Sequence, residues 1–241
     1  MESNLWVEIL PQPDDCTCGP TCLHAVYRYY GDEITLETVI TETARLDDGG
    51  TLAVLLGCHA LSRGYRATIY TYNVSIFDPT WFVDTTAIPQ KLAEQQRAKH
   101  GRRKLGTATR AYQRFVSAGG KLRFEDLTAS LIRRHLLRGR PLLTGLSATY
   151  LYRSAREITR ADGSLEFDDV RGEPQGHFVV LCGYDKPQRT VLVADPWAPT
   201  TPPRSRHYWV GIDRLCNAIL LGVITYDANL LVVEPPVSGV P

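Results

Sequence analysis

Cys18 stands where an irregular stretch, Gln12-Pro13-Asp14-Asp15-Cys16-Thr17, gives way to a helix. Pro20 suits a first helical turn, where a missing N–H costs nothing. Leu23, Val26, Tyr27 and Tyr30 then recur at i, i+3, i+4 and i+7, and Gly31 supplies a stop. A thiol at a helix N-terminus feels the positive end of the helix dipole, which favours the thiolate. Acyl transfer through such a nucleophile needs a base, a group that orients the base, and donors for an oxyanion. His177 heads the apolar run 178–184, and Asp195 follows the run 190–194, with a turn near Lys186-Pro187 between them. A tight hairpin centred on Lys186 predicts His177 opposite Asp195 on neighbouring strands.

The stretch from Gln12 to Cys22 resembles the active-site segment of the papain-like cysteine peptidases that process bacteriocin leaders, the double-glycine leader peptidases, and their stand-alone relatives. Their pattern is a Gln, a Cys-Gly six positions later, and a helix ending in Tyr-Tyr-Gly or similar. Gln12, Cys18-Gly19 and Tyr29-Tyr30-Gly31 match it. The family's His opening a hydrophobic strand is matched by Gly176-His177-Phe178-Val179, and its Asp-Pro after the next strand by Asp195-Pro196. The resemblance covers about half the chain, in pieces. It implies an α+β papain-like fold, with an N-terminal helical half packed against a mostly antiparallel sheet. It also implies that Cys18 is the nucleophile, His177 the base, Asp195 its orienter, and Gln12 an oxyanion donor together with the Cys18 N–H. The activity implied is that of a cysteine peptidase or amidase cleaving a peptide or peptide-like amide through a thioacyl-enzyme. Acyl transfer from the same intermediate, and an inactive peptide-binding module on the same fold, remain open.

Taken singly, each of these residues has a structural reading: a packed cysteine, a satisfied core histidine, a turn-starting Asp-Pro. Cys16 competes with Cys18 but lacks the following glycine. Cys16, Cys18, Cys22 and His24 raise the question of zinc, but the spacing is unlike the usual structural pairs. No metal or other cofactor is expected. Cys58-His59 lies in an amphipathic helix and reads as packing, and His207 and Asp213 receive no role.

The 241 residues, 44% hydrophobic and 22% charged, suffice for one large domain or two small ones. A net charge of +1 gives no overall pointer to nucleic acid or to an anionic membrane. No apolar run is long enough to cross a bilayer, and the N-terminus lacks the regions of a signal peptide. The expectation is a cytoplasmic protein with reduced cysteines, a peptide or peptide-like substrate, and neither nucleic acid nor membrane as partner.

Positioning elements are predicted as follows. Residues 5–10 form a short strand, Thr35 caps a second helix, and a third helix from Thr51 turns Leu52, Leu55, Leu56 and Ala60 inward. Asp47 to Gly50 is a turn. Strands are expected at 66–74, 121–124, 141–146, 221–226 and 230–233, and a helix capped by Thr128 buries Leu131, Ile132, His135 and Leu136. The whole chain, 1–241, reads as one papain-like domain with insertions at about 75–120 and 150–175. The first has a helix from Pro89 and seven Lys or Arg against one acid between residues 91 and 110, read as a solvated face. The second carries an Asp162-Gly163 turn signal.

Overall fold

The computed structural model describes residues 3–46, 49–160, 165–197 and 205–236. The Asp47-Asp48 turn, the Asp162-Gly163 turn and the tail beyond 236 lie outside the described residues. The chain begins with a two-residue strand, β1 (Ser3–Asn4), and three helices, α1 (Cys18–Tyr29), α2 (Leu36–Glu42) and α3 (Ala53–Ser62). Strand β2 (Arg66–Thr71) leads to α4 (Ile88–Ala98), α5 (Arg103–Ser117) and β3 (Lys121–Arg123). Then come α6 (Ala129–Leu136), β4 (Leu142–Ser147), α7 (Ala148–Tyr152), and the short strands β5 (Glu157–Thr159) and β6 (Leu165–Phe167). The chain continues through β7 (Gly176–Asp185), β8 (Thr190–Ala194), β9 (His207–Gly211), α8 (Ile212–Leu221) and β10 (Asn229–Glu234).

The main sheet runs β3-β2-β10-β4-β7-β8-β9, with β1 added to β7 beyond the end of β4. All its pairs are antiparallel except β2–β3. This is the expected α+β arrangement. The sheet is covered on both faces, so its central strands are apolar on both sides. In β10, Leu231 and Val233 join the cluster of α1, α3 and α5, while Leu230 and Val232 join that of α6 and α8. Strand β7 alternates likewise until a bulge between Leu181 and Gly183, after which Tyr184 faces the second cluster.

Local signals predict local structure well. The Thr35 and Thr128 side chains accept from the N–H groups of Thr38 and Leu131. Gly31 and Gly139 take positive φ, +82° and +68°. Three expected strands differ. Residues 5–10 alternate in burial but have no ladder. They cross the sheet from β7 towards β9, held by the Leu5 N–H to the Cys182 carbonyl (2.7 Å), His207 Nε2 to the Val7 carbonyl (2.8 Å) and the Gln12 N–H to the Pro196 carbonyl (3.0 Å). Residues 221–226 end α8 and continue as a 3₁₀ turn, because the sheet position is taken by β10, which lies inside the sheet between β2 and β4. The strand predicted at 66–74 ends at Thr71.

The 75–120 segment is built into the core. Leu105, Ala108, Tyr112 and Phe115 form the buried stripe of α5, and Phe77 meets Tyr112 edge-on at 4.7 Å. The basic residues lie mostly on the outer side of α4 and α5. Phe115 is fully buried, so Phe115→Ala should destabilise the protein by about 3–5 kcal/mol, the range for truncating a buried aromatic ring. Urea unfolding measures this. A loss under about 1 kcal/mol would mean that α5 is only appended to the surface.

Candidate active site

The loop before α1 is fixed by short-range bonds. Asp14 Oδ1 accepts from the Cys16 N–H (2.8 Å), and Thr17 Oγ1 donates to the Asp14 carbonyl (3.0 Å). Cys18 is therefore delivered as the first residue of the helix, where the N–H groups of Cys18 and Gly19 have no intrahelical partner. A Cβ on Gly19 would come within 2.5 Å of the Thr51 side chain, so only glycine lets residue 51 pack this close to the helix start. Helix α1 is buried continuously from Gly19 to Tyr27 rather than along one stripe, which makes it the central helix. One of its buried polar groups is linked outward: Tyr27 Oη pairs with His59 Nδ1 (2.8 Å), and His59 Nε2 with the exposed Glu42 (3.2 Å). Cys58 is buried beside them, so Cys58-His59 is indeed packing.

His177 and Asp195 come together, though not in the expected register. The turn occupies residues 186–189, Asp185 pairs with Thr190, and the bulge shifts the ladder so that Ala194 pairs with Val180. Continued one step, Asp195 faces Val179, two places along from His177 and on the same side of the sheet. The diagonal is short enough: His177 Nε2 lies 2.8 Å from Asp195 Oδ1. Cys18 lines the same cleft and is close enough to help raise the His177 pKa. With Nε2 taken, Nδ1 is the ring nitrogen that remains for the sulfur.

Asp195 is 1% exposed and accepts three further bonds, from the Trp197 N–H (2.9 Å), Tyr152 Oη (2.5 Å) and Tyr208 Oη (2.5 Å). The two tyrosines, on α7 and β9, were missed by the sequence reading. Nothing local distinguishes them from other core tyrosines; only the β8–β9 pairing, Val193 with Tyr208, brings Tyr208 to the site. Burial alone would raise the Asp195 pKa, but the His177 charge and the bonds from His177, Tyr152 and Tyr208 hold it below the ordinary carboxylate value. Burial likewise opposes charge on His177, yet the Asp195 charge, the bond to Asp195 and the nearby Cys18 raise it above the ordinary histidine value. Burial and the Asp195 charge push Tyr152 and Tyr208 upward, so both remain donors.

Cys18, His177 and Gln12 line one cleft of about 740 Å³. Gln12 Nε2 donates to the Asp14 carbonyl (2.9 Å), while its Oε1 has no partner among the described residues. Lys104 from the 75–120 segment and Glu157, Leu165 and Phe167 from 150–175 complete the walls. Cys22, one turn further along α1, is buried and donates to the Phe178 carbonyl (3.2 Å). Among the described residues no three His, Cys, Asp or Glu side chains converge as metal ligands would.

A family model described as the Peptidase_C39 like family matches residues 4–212. The chain belongs to this family. The match spans the loop before α1, both hairpin strands and the two segments read as insertions, and it supports a cysteine-peptidase-type function on the α+β papain-like fold. Two solved structures align with this Peptidase_C39 like chain. One is a double glycine motif protease from an AMS/PCAT transporter in complex with the leader peptide (14% identity, 97% of this chain and 94% of that chain, TM-score 0.44). The other is the peptidase domain of Streptococcus ComA, a bifunctional ABC transporter (12% identity, 95% and 99%, TM-score 0.42). No curated protein sequence matches the chain. No helix among the described residues is long and apolar enough to cross a membrane.

Two expectations follow. Burial raises the thiols of Cys22, Cys58, Cys182 and Cys216, the last two to about 12 and about 11, and burial with Asp14 and Cys18 raises Cys16. A limiting dose of iodoacetamide at pH 6 should therefore alkylate Cys18 first, read by peptide mass spectrometry. His177→Ala should abolish the selectivity and Asp195→Asn weaken it less; labelling of Cys16 first would mean that the nucleophile is wrongly chosen. The second expectation concerns stability. The raised His177 contributes fully below its unfolded pKa, about 6.5, and loses that contribution as pH rises through its folded value. The lowered Asp195 contributes above about pH 3.9 and loses its contribution as pH falls through its folded value. The stability advantage of the native protein over Asp195→Asn should peak between about pH 4 and 6.5 and shrink on both sides. Denaturant titrations at several pH values test this, and a flat difference would contradict it.

Proposed function

We propose that the protein is a cysteine peptidase or amidase that cleaves a peptide or peptide-like amide through a thioacyl-enzyme on Cys18. The observation that carries this reading is the convergence of Cys18, at the start of a buried helix, with His177 and the fully bonded Asp195. Family membership supports the same chemistry. The Cys18 thiolate adds to the scissile carbonyl carbon, and its electron pair opens the C=O to an oxyanion. His177 gives its proton to the leaving amine as the C–N bond breaks, which leaves a thioester and a neutral ring. Water then attacks the thioester, His177 takes its proton, and release of the acid restores the thiolate–imidazolium pair. Asp195 stays ionised throughout and orients the ring.

Gln12 serves the oxyanion together with the Cys18 N–H. A side-chain amide has two hydrogens; one is spent on the Asp14 carbonyl, which fixes the group and leaves the other for the substrate oxygen. On this reading residues 1–241 form one domain, supported by β1 and β10 lying in the same sheet. A peptide substrate and a cytoplasmic location belong to the same proposal.

Gln12→Ala should lower kcat by roughly 10²–10³-fold, the scale for one oxyanion-hole donor, with the fold retained. The test is steady-state kinetics on any peptide that the native protein turns over, with circular dichroism as the control for folding. An unchanged kcat would remove Gln12 from the mechanism.

A further inference from the structure

Among the described residues, Asp227 is the one buried carboxylate in the cleft that the chemistry above does not use. It is 5% exposed and lines the same cleft as Cys18 and His177. Its backbone is fully engaged: its N–H donates to the Gly222 carbonyl (2.9 Å), and its carbonyl accepts from the Asn229 side chain (3.0 Å). Its side chain is not. Oδ2 accepts a single bond from Thr225 Oγ1 (3.2 Å), and Oδ1 has no partner among the described residues. A buried carboxylate left this way costs stability.

Two further costs surround it. Its neighbours Tyr226 and Ala228 both take left-handed backbone conformations, φ 67° and 61°, which side-chain-bearing residues rarely adopt. Such strain gathers at functional sites. Two glycines make room for the carboxylate. A Cβ on Gly145 would lie 2.7 Å from Oδ1, and one on Gly176, immediately before His177, 2.9 Å from Oδ2. The acid is thus pressed against the strand that carries the base.

The cleft around it is acidic. Asp15 and Glu157 line it as well, against Lys104. Burial and the proximity of Asp15 raise the Glu157 pKa, and burial lifts Asp227 to about 7 despite the opposing effects of Thr225, Lys104 and His177. Carboxylates that resist ionisation in a shared cleft are stabilised by any cation that enters it.

We infer that the cleft selects substrates carrying a positive charge, a lysine or arginine side chain or a comparable amine, beside the bond that Cys18 attacks, and that Asp227 reads this charge with Glu157 at the rim. The inference rests on Cys18 being the nucleophile and adds the substrate class.

Charged methanethiosulfonates test it without a known substrate. The Cys18 thiolate attacks the sulfenyl sulfur, forms a mixed disulfide and expels methanesulfinate, so the rate at Cys18 reports the local field. Aminoethyl (cationic), sulfonatoethyl (anionic) and methyl (neutral) reagents are compared at pH 8, each rate divided by its rate with 2-mercaptoethanol. Modification of Cys18 is followed by mass spectrometry. The native protein should favour the cationic over the anionic reagent, and Asp227→Asn should cut that ratio about tenfold, the scale of one charge in a partly screened site. Glu157→Gln should cut it less. Use of the neutral reagent as reference cancels any general loss of thiol reactivity. A native ratio at or below one overturns the inference even where Asp227→Asn does not fold, and so does a ratio that Asp227→Asn leaves unchanged.

Digestion of a complex peptide mixture supplies the second arm. Cleaved bonds should be enriched for Lys or Arg within two residues, and the pattern distinguishes one from the other; cleavage without that enrichment overturns the inference. Charge-selective modification of Cys18 with no cleavage of any peptide would support the cationic preference and count instead against the peptidase reading.

Discussion

A single buried charge organises the site. The Asp195 carboxylate is almost wholly removed from water, and a carboxylate there is tolerable only if its lone pairs are filled. Four donors fill them: His177, the Trp197 N–H, Tyr152 and Tyr208. These come from β7, from the segment after β8, from α7 and from β9, so the demand of one side chain fixes how four stretches meet. It also fixes His177. With Nε2 committed to Asp195, the other ring nitrogen is left for the thiol. The two tyrosines help to keep the carboxylate ionised without competing for the proton, because burial, together with the same charge, suppresses their own ionisation.

Cys18 depends on a different constraint, the close packing around the start of α1. That helix has no exposed face over most of its length, so it has little freedom to move relative to the sheet. The turn at Asp14 sets the direction of entry, and Gly19 admits residue 51 to contact distance. Cys18 is thus held by the layer of α1 and α3, while His177 opens β7 and Asp195 follows β8 directly. A thiol and an imidazole meet productively only when both holders are rigid.

The parts legible in the sequence were those that short-range chemistry decides. The start of α1, the Thr35 and Thr128 caps and the glycine stops each depend on a few neighbouring residues. That His177 and Asp195 meet, and that Cys18 shares a cleft with His177, was legible because one helix start and one hairpin position them. Most of what escaped depends on distant partners. The ladder is offset from the simplest hairpin because the turn takes four residues, 186–189, instead of centring on Lys186, and the bulge after Leu181 takes back only one step of that offset. Residues 5–10 alternate as a strand does, but both edges of β7 along their path are already occupied by β4 and β8. Tyr152 and Tyr208 carry no local mark, and their role exists only once β9 lies beside β8.

The segments read as insertions have unequal standing. Residues 75–120 contribute Phe77, Leu92, Leu105, Tyr112 and Phe115 to the same core as α1 and α3. Their length was visible in the sequence, but the buried stripe of α5 was obscured by the charge run on its outer side. Residues 150–175 contribute little core; β5 and β6 pair with each other, apart from the main sheet. A two-stranded ribbon of this kind derives little stability from itself. Its side chains on the cleft, Glu157, Leu165 and Phe167, are therefore held less rigidly than the core residues beneath them. Asp227 lies on the opposite side of that contrast. It is held by strained backbone and two glycines at the ends of the central strands β4 and β7, where a change of one atom is felt. The rigid part of the cleft thus carries the charge that acts beside the reacting bond, and the ribbon carries the contacts that can adapt.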